Sequence, residues 1–294
     1  MPVRGWVFGG GSREAITTDK ARKTKAHSQE WLCHSRLRLR RGYNRDMRDD
    51  LETPEALAEL LREERARMVS RQLRGRQIRS ERVLEAMLIV PRHEFVTEEY
   101  WARAYDDAPL PIGEGQTISQ PYMVASMTEA LELTGGERVL EVGTGSGYQA
   151  AVLGRLAREV HTIEIREELA LAARERLARL GGFENVHVHA GDGTLGRSAA
   201  RVTEIERKNH TYEGDAWDSL PFDAILVAAG APEIPPPLVE RLTEGGRIVV
   251  PVGNEREQQL MVGRKVDGKL RIVARYPCRF VPLVGRHGWA SDAM

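Results

Sequence analysis

Cysteine is scarce. The 294-residue chain has two, Cys33 and Cys278, far apart and with no Cys-x-x-Cys pair. At most one bridge can form, which excludes a disulfide-framed scaffold and makes a reducing compartment the expectation. Long apolar runs are missing as well. The longest, Ala224 to Pro232, spans nine residues and contains a Gly and a Pro, whereas a membrane-crossing helix needs roughly 20. Met1 to Arg13 lacks the apolar stretch of about 7 to 15 residues that a secretory leader carries. A cytoplasmic protein without a membrane partner is therefore expected. No internal repeat is found and no excess of one charge, since 43 basic residues meet 43 acidic ones.

What is present begins with 41% hydrophobic residues, enough for a sizeable buried core. The charge balance conceals a division. Residues 1–48 hold twelve bases against four acids, a net +8 that leaves −8 for the remainder. With Gly9-Gly10-Gly11 and little apolar periodicity, this segment cannot offset its ordering entropy by burial and is expected to be a disordered extension. Two readings of Arg36 to Arg41 stay open. One is a phosphate-binding contact for nucleic acid or another anionic surface; the other is a solvated extension, with Met47 as an alternative initiator.

Ordered structure is expected from Thr53, an N-cap followed by Pro54 at the first helical position and by Leu57, Leu60, Leu61 and Met68 at helical spacing. A second helix is predicted over Ser80 to Val90, with Val83, Leu84, Met87 and Leu88 as its apolar stripe and Pro91 as its stop. Ala108 to Gln120 has two prolines and two glycines and reads as an irregular loop. Pro121 then opens a helix carrying Met123, Met127 and Leu131.

From Gly135 onward strands and helices alternate: strand Arg138 to Val142, helix Gln149 to Arg158, strand Val160 to Ile165, helix Glu167 to Leu180, strand Val186 to His189. A polar excursion, Arg197 to Leu220, interrupts the pattern. It resumes with strand Phe222 to Val227, a helix near Leu238 to Leu242 and strand Arg247 to Val250. Leu260 to Val266 and Lys269 to Ala274 then flank Asp267-Gly268, a hairpin signal. The alternation implies an α/β fold, a mostly parallel sheet with helices on both faces that closes in a C-terminal antiparallel hairpin.

Val139 to Gly147, VLEVGTGSG, carries an apolar strand into three alternating glycines and a helix. Glycines there let backbone approach a ligand, and the helix start offers amide donors. A nucleotide-like cofactor is the inference, with a tight structural turn as the simpler alternative. Glu164 ends the second strand seventeen residues after Gly147, where a carboxylate can accept from both ribose hydroxyls. Gly145, Gly147 and Ala150 also satisfy the dinucleotide fingerprint, so a nicotinamide-dependent oxidoreductase stays open. Glu141 and Asp192 weigh against it. An acid at the end of the first strand repels a pyrophosphate but suits a sulfonium and an ammonium.

At this point the sequence resembles the protein-L-isoaspartate O-methyltransferases, a class I S-adenosylmethionine-dependent family with a Rossmann-like core and an N-terminal helical cap. The matching stretches are Leu110 to Ala125 (LPIGEGQTISQPYMVA), Val139 to Ala151, Thr162 to Ile165, Gly191-Asp192-Gly193, Pro221 to Ile225 and Phe280 to Leu283. Met68 to Ser70 and Val90 to Arg92 also look like its N-terminal portion. The resemblance covers roughly Glu55 to Leu283. It implies that Ser119 is the active-site hydroxyl. By the same carry-over Glu141, Gly143, Gly145 and Gly147 line the cofactor, Glu164 holds its ribose, and Asp192 with Gly193 approaches adenine. With the composition break after residue 48, the chain is expected to have three parts: an extension at 1–48 that matches nothing in the family, a helical cap with the substrate loop at 49–134, and a cofactor-binding core at 135–294, the last two as one compact unit. Departures are the extra residues within Arg197 to Leu220 and Ala228 to Pro232 in place of Thr-Ala-Ala-Pro.

The reaction so implied is methyl transfer from S-adenosyl-L-methionine to the free α-carboxylate of an L-isoaspartyl residue in a damaged protein or peptide, starting its conversion to aspartyl. That carboxylate, with a pKa of about 3.3 to 3.7, is ionised at neutral pH and needs no general base. Ser119 has a competing role, since a Ser before Gln120-Pro121 at a helix start commonly caps backbone donors. His187 and His189 share a strand face, yet no further ligand cluster accompanies them and no metal is expected. Met87, Met123 and Met127 are read as core, and Tyr148 either flanks the cofactor or packs. A methyltransferase acting on RNA or a small acid is the nearest rival and a non-enzymatic binding module the most distant. Damaged proteins and peptides are the expected partners, nucleic acid is not, and the chain is expected to be a monomer.

Overall fold

The structure, a computed structural model, describes residues 53–196, 216–254 and 256–290. The basic extension and most of the polar excursion, residues 197–215, lie outside the described residues. The chain divides into two units between residues 60 and 61. Thr53 accepts a hydrogen bond from the Ala56 amide at 3.2 Å and Pro54 opens helix α1, Pro54–Arg67. The helical path continues through a wider turn, Met68–Leu73, whose Met68, Val69 and Leu73 are buried. Helix α2 spans Glu81–Ile89, capped by the Ser80 hydroxyl, with Val83, Leu84 and Met87 buried and Leu88 exposed.

The segment expected as irregular loop is instead a small antiparallel ribbon, β1 Leu110–Gly113 and β2 Gln116–Ile118. Its two-residue turn, Glu114-Gly115, has positive φ at both positions, 52° and 67°, the geometry that matches the twist of a hairpin. Leu110 and Ile118 face each other across the ribbon and are both buried. Helix α3, Pro121–Ala130, follows.

The main sheet comprises β3 Arg138–Val142, β4 Glu159–Glu164, β5 Val186–Ala190, β6 Phe222–Val227, β7 Leu242–Gly253, β8 Gln258–Val266 and β9 Lys269–Cys278. Their order is β5-β4-β3-β6-β7-β8-β9, with the first five parallel and the last two antiparallel. Helices α4 Tyr148–Gly154, α5 Glu167–Leu180 and α6 Pro236–Arg241 connect the parallel strands. Alternation along each strand sends side chains to opposite faces. Leu140, Val142, Ile225, Val227, Ile248 and Val250 join a core that includes Leu238 of α6. Val139, Val160, Ala224, Leu226 and Val249 join another with Met127 of α3 and Leu153 of α4.

Helix α4 ends at Gly154, short of the expected Arg158. The Asn185 amide donates to the carbonyls of Gly154 at 2.9 Å and Ala157 at 3.1 Å, which satisfies acceptors a longer helix would have used. Strand β7 is longer than expected because β8 pairs with it as far as Gly253. Asp267 and Gly268 turn the last hairpin with φ of 54° and 71°. Strand order reverses between β3 and β6, so their carboxyl ends open a crevice.

Candidate active site

The crevice is a cleft open to solvent, lined by Val142, Gly143, Gly145, the strand end Ile163 to Arg166, Gly193, and Ala228-Ala229 after β6. Gln116 and Thr117 of β2 and the C-terminal stretch Val281 to Val284 complete its walls. Two of its glycines resist a side chain, Gly145 through its left-handed backbone and Gly193 through lack of space. A Cβ on Gly145, which has φ of 52°, would stand 3.2 Å from Ile112 Cδ1 of the ribbon, and one on Gly193 would stand 2.5 Å from Val142 Cγ1.

Glu164 is buried where β4 ends. One carboxylate oxygen accepts from the Gly145 amide at 2.8 Å and the other from the Arg166 amide at 3.1 Å. The glycine turn is thereby tied to the neighbouring strand, with the carboxylate on the cleft wall. Glu141 lies beneath the turn and is not on that wall. It is fully buried, Oε2 accepts from the Thr162 hydroxyl at 2.5 Å, and Oε1 has no hydrogen-bond partner among the described residues. Burial pushes its carboxyl up to about 8, offset in part by the Thr162 bond and reinforced by Glu164 nearby. The Thr162 hydroxyl also meets that of Thr144 at 2.6 Å.

Gly147 sits at the start of α4, behind the cleft, with Ala173 Cβ 3.3 Å from where its own Cβ would be. Asp192 turns toward the C-terminal loop. Its Oδ1 accepts from the Thr194 amide and hydroxyl and its Oδ2 from the Arg286 amide at 2.7 Å. Of the eight residues singled out in the sequence, the cleft wall therefore unites Gly143, Gly145, Glu164 and Gly193, while Glu141, Gly147 and Asp192 support it.

Ser119 follows β2, two residues after cleft-lining Thr117, and is half-buried. It is not the cap of α3. The cap position is Gln120, and the Tyr122 amide donates to Asp107 Oδ1 at 3.0 Å. The Ser119 hydroxyl makes no hydrogen bond among the described residues. Tyr148 packs away from the cleft against Phe95, with its hydroxyl 3.6 Å from Met87 Sδ. His189 Nε2 is 3.0 Å from His161 Nδ1, and Trp217 stacks on both rings. Among the described residues no group of three His, Cys, Asp or Glu is arranged to hold a metal ion. No helix of the described residues is long and apolar enough to cross a membrane.

Cleft residues that the sequence did not mark as site residues include Gln116, Thr117, Arg166, Ala228-Ala229 and Val281 to Val284. Ala228-Ala229 could have been found from strand order alone, because they end the strand beside the glycine turn. Donor and acceptor chemistry also fits an adenosyl group: a strand-end carboxylate for vicinal hydroxyls, glycine backbone for close approach and a buried acid with a free oxygen behind.

A family model described as protein-L-isoaspartate(D-aspartate) O-methyltransferase matches residues 63–288. A protein-L-isoaspartate O-methyltransferase of Geobacter metallireducens is 51% identical over 229 residues, 78% of this chain and 97% of that one. One from Koribacter versatilis is 50% identical over 227 residues, covering 77% and 93%. A solved protein-L-isoaspartate O-methyltransferase superposes with a TM-score of 0.64 at 30% identity, over 76% of this chain and 67% of that chain. A Plasmodium falciparum structure described as such an enzyme in complex with S-adenosyl-L-homocysteine gives 0.60 at 26% identity, over 75% and 98%. With the glycine turn, the strand-end glutamate and the ribbon assembled on one cleft, and the family pattern running from the first core helix to the C-terminal loop, this chain belongs to the protein-L-isoaspartate(D-aspartate) O-methyltransferase family.

Proposed function

We propose that the cleft is where this enzyme holds S-adenosyl-L-methionine and that Ser119 presents the methyl acceptor to it. The enzyme is a protein-repair methyltransferase that esterifies the free α-carboxylate of L-isoaspartyl residues in damaged proteins and peptides. S-adenosyl-L-methionine supplies a methyl group on a positively charged sulfur, which a carboxylate anion can take directly. The protein's share is to bind, orient and exclude water.

Glu164 would hold the ribose hydroxyls, Gly143 and Gly145 admit the cofactor against the backbone, and Gly193 leaves room beside Val142. Glu141, which burial keeps protonated up to about pH 8, supports the turn from below through Thr162, and Gly147 and Asp192 fix the turn and the C-terminal loop. Ser119 donates one hydrogen bond to the acceptor carboxylate and is not itself a nucleophile. What carries the reading is that Gly143, Gly145 and Glu164 share a cleft with Gln116 and Thr117, which lead directly to Ser119. The chain is further proposed to act as a cytoplasmic monomer, without nucleic acid, through residues 49–294, with 1–48 as an appended extension.

The test offers methyl-labelled cofactor to two peptides that differ only in an isoaspartyl or aspartyl linkage. Base-labile label on the isoaspartyl peptide alone is expected. Label on both or on neither overturns the assignment of substrate.

A further inference from the structure

Helix α3 begins immediately after Ser119 and has an unusual first turn. Pro121 has no amide hydrogen, and the Met123 and Val124 amides already donate to the Gln120 carbonyl at 3.0 and 3.2 Å. The Tyr122 amide is the donor left over at this helix start. Asp107, fifteen residues earlier and on the far side of the ribbon, accepts from it through Oδ1 at 3.0 Å. The other carboxylate oxygen, Oδ2, is ion-paired with Arg76, whose guanidinium lies 3.7 Å from the Tyr122 ring centroid. One carboxylate thus fastens the entry of the β1–β2 ribbon to its exit and is itself held by a cation stacked on the exit residue.

The segment that carries Asp107 is anchored independently. Buried Arg92 donates Nε to the Ala104 carbonyl at 2.7 Å, and Gln72 donates to the Tyr105 carbonyl at 2.8 Å. Asp107 therefore projects from a fixed base, whereas Ser119 has no hydrogen bond of its own to set its position. The glycine-turn side of the cofactor cleft rests on a different set of contacts, Glu164 to the Gly145 and Arg166 amides, while the ribbon contributes Gln116 and Thr117 to the opposite wall.

We propose that Asp107, held by Arg76, is a positioning residue for the methyl acceptor: it clasps the two ends of the ribbon and so sets where Ser119 stands relative to the cleft. This rests on the role proposed for Ser119 above. Misplacement of an orienting group by about 1 Å can cost as much as about 100-fold in rate. Loss of the clasp falls chiefly on substrate turnover, because Glu164 and the glycine turn are held independently of it.

The experiment compares wild type with Asp107→Ala and Asp107→Asn. Asn keeps an oxygen acceptor for the Tyr122 amide but gives up the charge. Asp107→Ala is expected to lower kcat/KM for an isoaspartyl peptide by about tenfold or more, mostly in kcat, with S-adenosyl-L-homocysteine affinity held within about twofold. Asp107→Asn is expected to recover to within about threefold of wild type. Hydrogen exchange at the Tyr122 amide should be slow in wild type and in Asp107→Asn, and fast in Asp107→Ala. An unchanged kcat/KM in Asp107→Ala, equal impairment of both variants, or a parallel loss of S-adenosyl-L-homocysteine affinity overturns the proposal. So does fast exchange at Tyr122 in wild type, a measurement that does not depend on either variant folding. A wild-type enzyme inactive on the isoaspartyl peptide would instead overturn the substrate assignment.

Discussion

A serine beside a helix start that caps nothing has its hydroxyl to offer elsewhere. Ser119→Ala is expected to lower turnover of an isoaspartyl peptide by about tenfold, the scale of one lost hydrogen bond to a charged group, with little change in S-adenosyl-L-homocysteine affinity. Steady-state kinetics beside calorimetric titration check this, and an equal fall in both quantities would assign Ser119 to cofactor structure. Local spacing favoured the capping role, because Ser before Gln-Pro is a common helix entry. It could not reveal that Asp107, fifteen residues away, occupies the helix start instead. Glu141 teaches a related point. The acid was legible as unusual, but strand alternation places it opposite cleft-lining Val142, among groups sealed under the turn.

Elements with strong periodicity were legible to the residue. Strands Arg138–Val142 and Phe222–Val227 and helix Glu167–Leu180 fall where the apolar pattern and the flanking breakers put them. Elements that borrow their boundaries from distant side chains were not. The ribbon has strands of four and three residues and a Glu-Gly turn, too short for alternation to register among its prolines and glycines. Helix α4 stops under the reach of Asn185. The C-terminal loop is a third such case, docked by paired bonds between Gly230 and Val281 or Leu283, each at 2.8 Å, and by the Arg286 amide on Asp192. Gly285 is the crossing point, where φ is 149° and a Cβ would stand 2.2 Å from Asp192 Oδ1. Gly285→Ala is therefore expected to dislodge Val281 to Val284 from the cleft wall. S-adenosyl-L-homocysteine affinity should fall by about tenfold or more, the equivalent of about 1.4 kcal/mol, while far-ultraviolet circular dichroism stays as in wild type. Unchanged affinity would show that the loop tolerates the side chain and that the crossing is not a constraint.

At the scale of the whole molecule, the buried titratable groups predict a stability profile with its maximum near neutrality. Burial lowers His93 to about 4 and His189 to about 3, and lowers His161 as well, all from an ordinary value of 6.5. Unfolded, these rings take up protons that the folded protein refuses, so stability is lost as pH falls below 6.5. Glu141 acts in the opposite sense. The folded protein keeps its proton up to about 8 whereas the unfolded chain releases it near 4.5, so stability is lost as pH rises between those values. Between 4.5 and 6.5 His93 and His189 outweigh one glutamate, with His161 adding in the same sense, and above 6.5 Glu141 acts without them, which puts the maximum at about pH 6.5. Urea denaturation of the cofactor-free protein from pH 5 to 8.5 is expected to show that maximum. In Glu141→Gln the decline from 6.5 to 8 should disappear, since the amide keeps the Thr162 contact without an ionisation to oppose. In His189→Phe the acid limb should become shallower, with Trp217 still stacked on the ring at that position. Stability of the wild-type protein that climbs steadily through pH 8 would mean that Glu141 ionises freely and that its burial beneath the glycine turn is wrongly described.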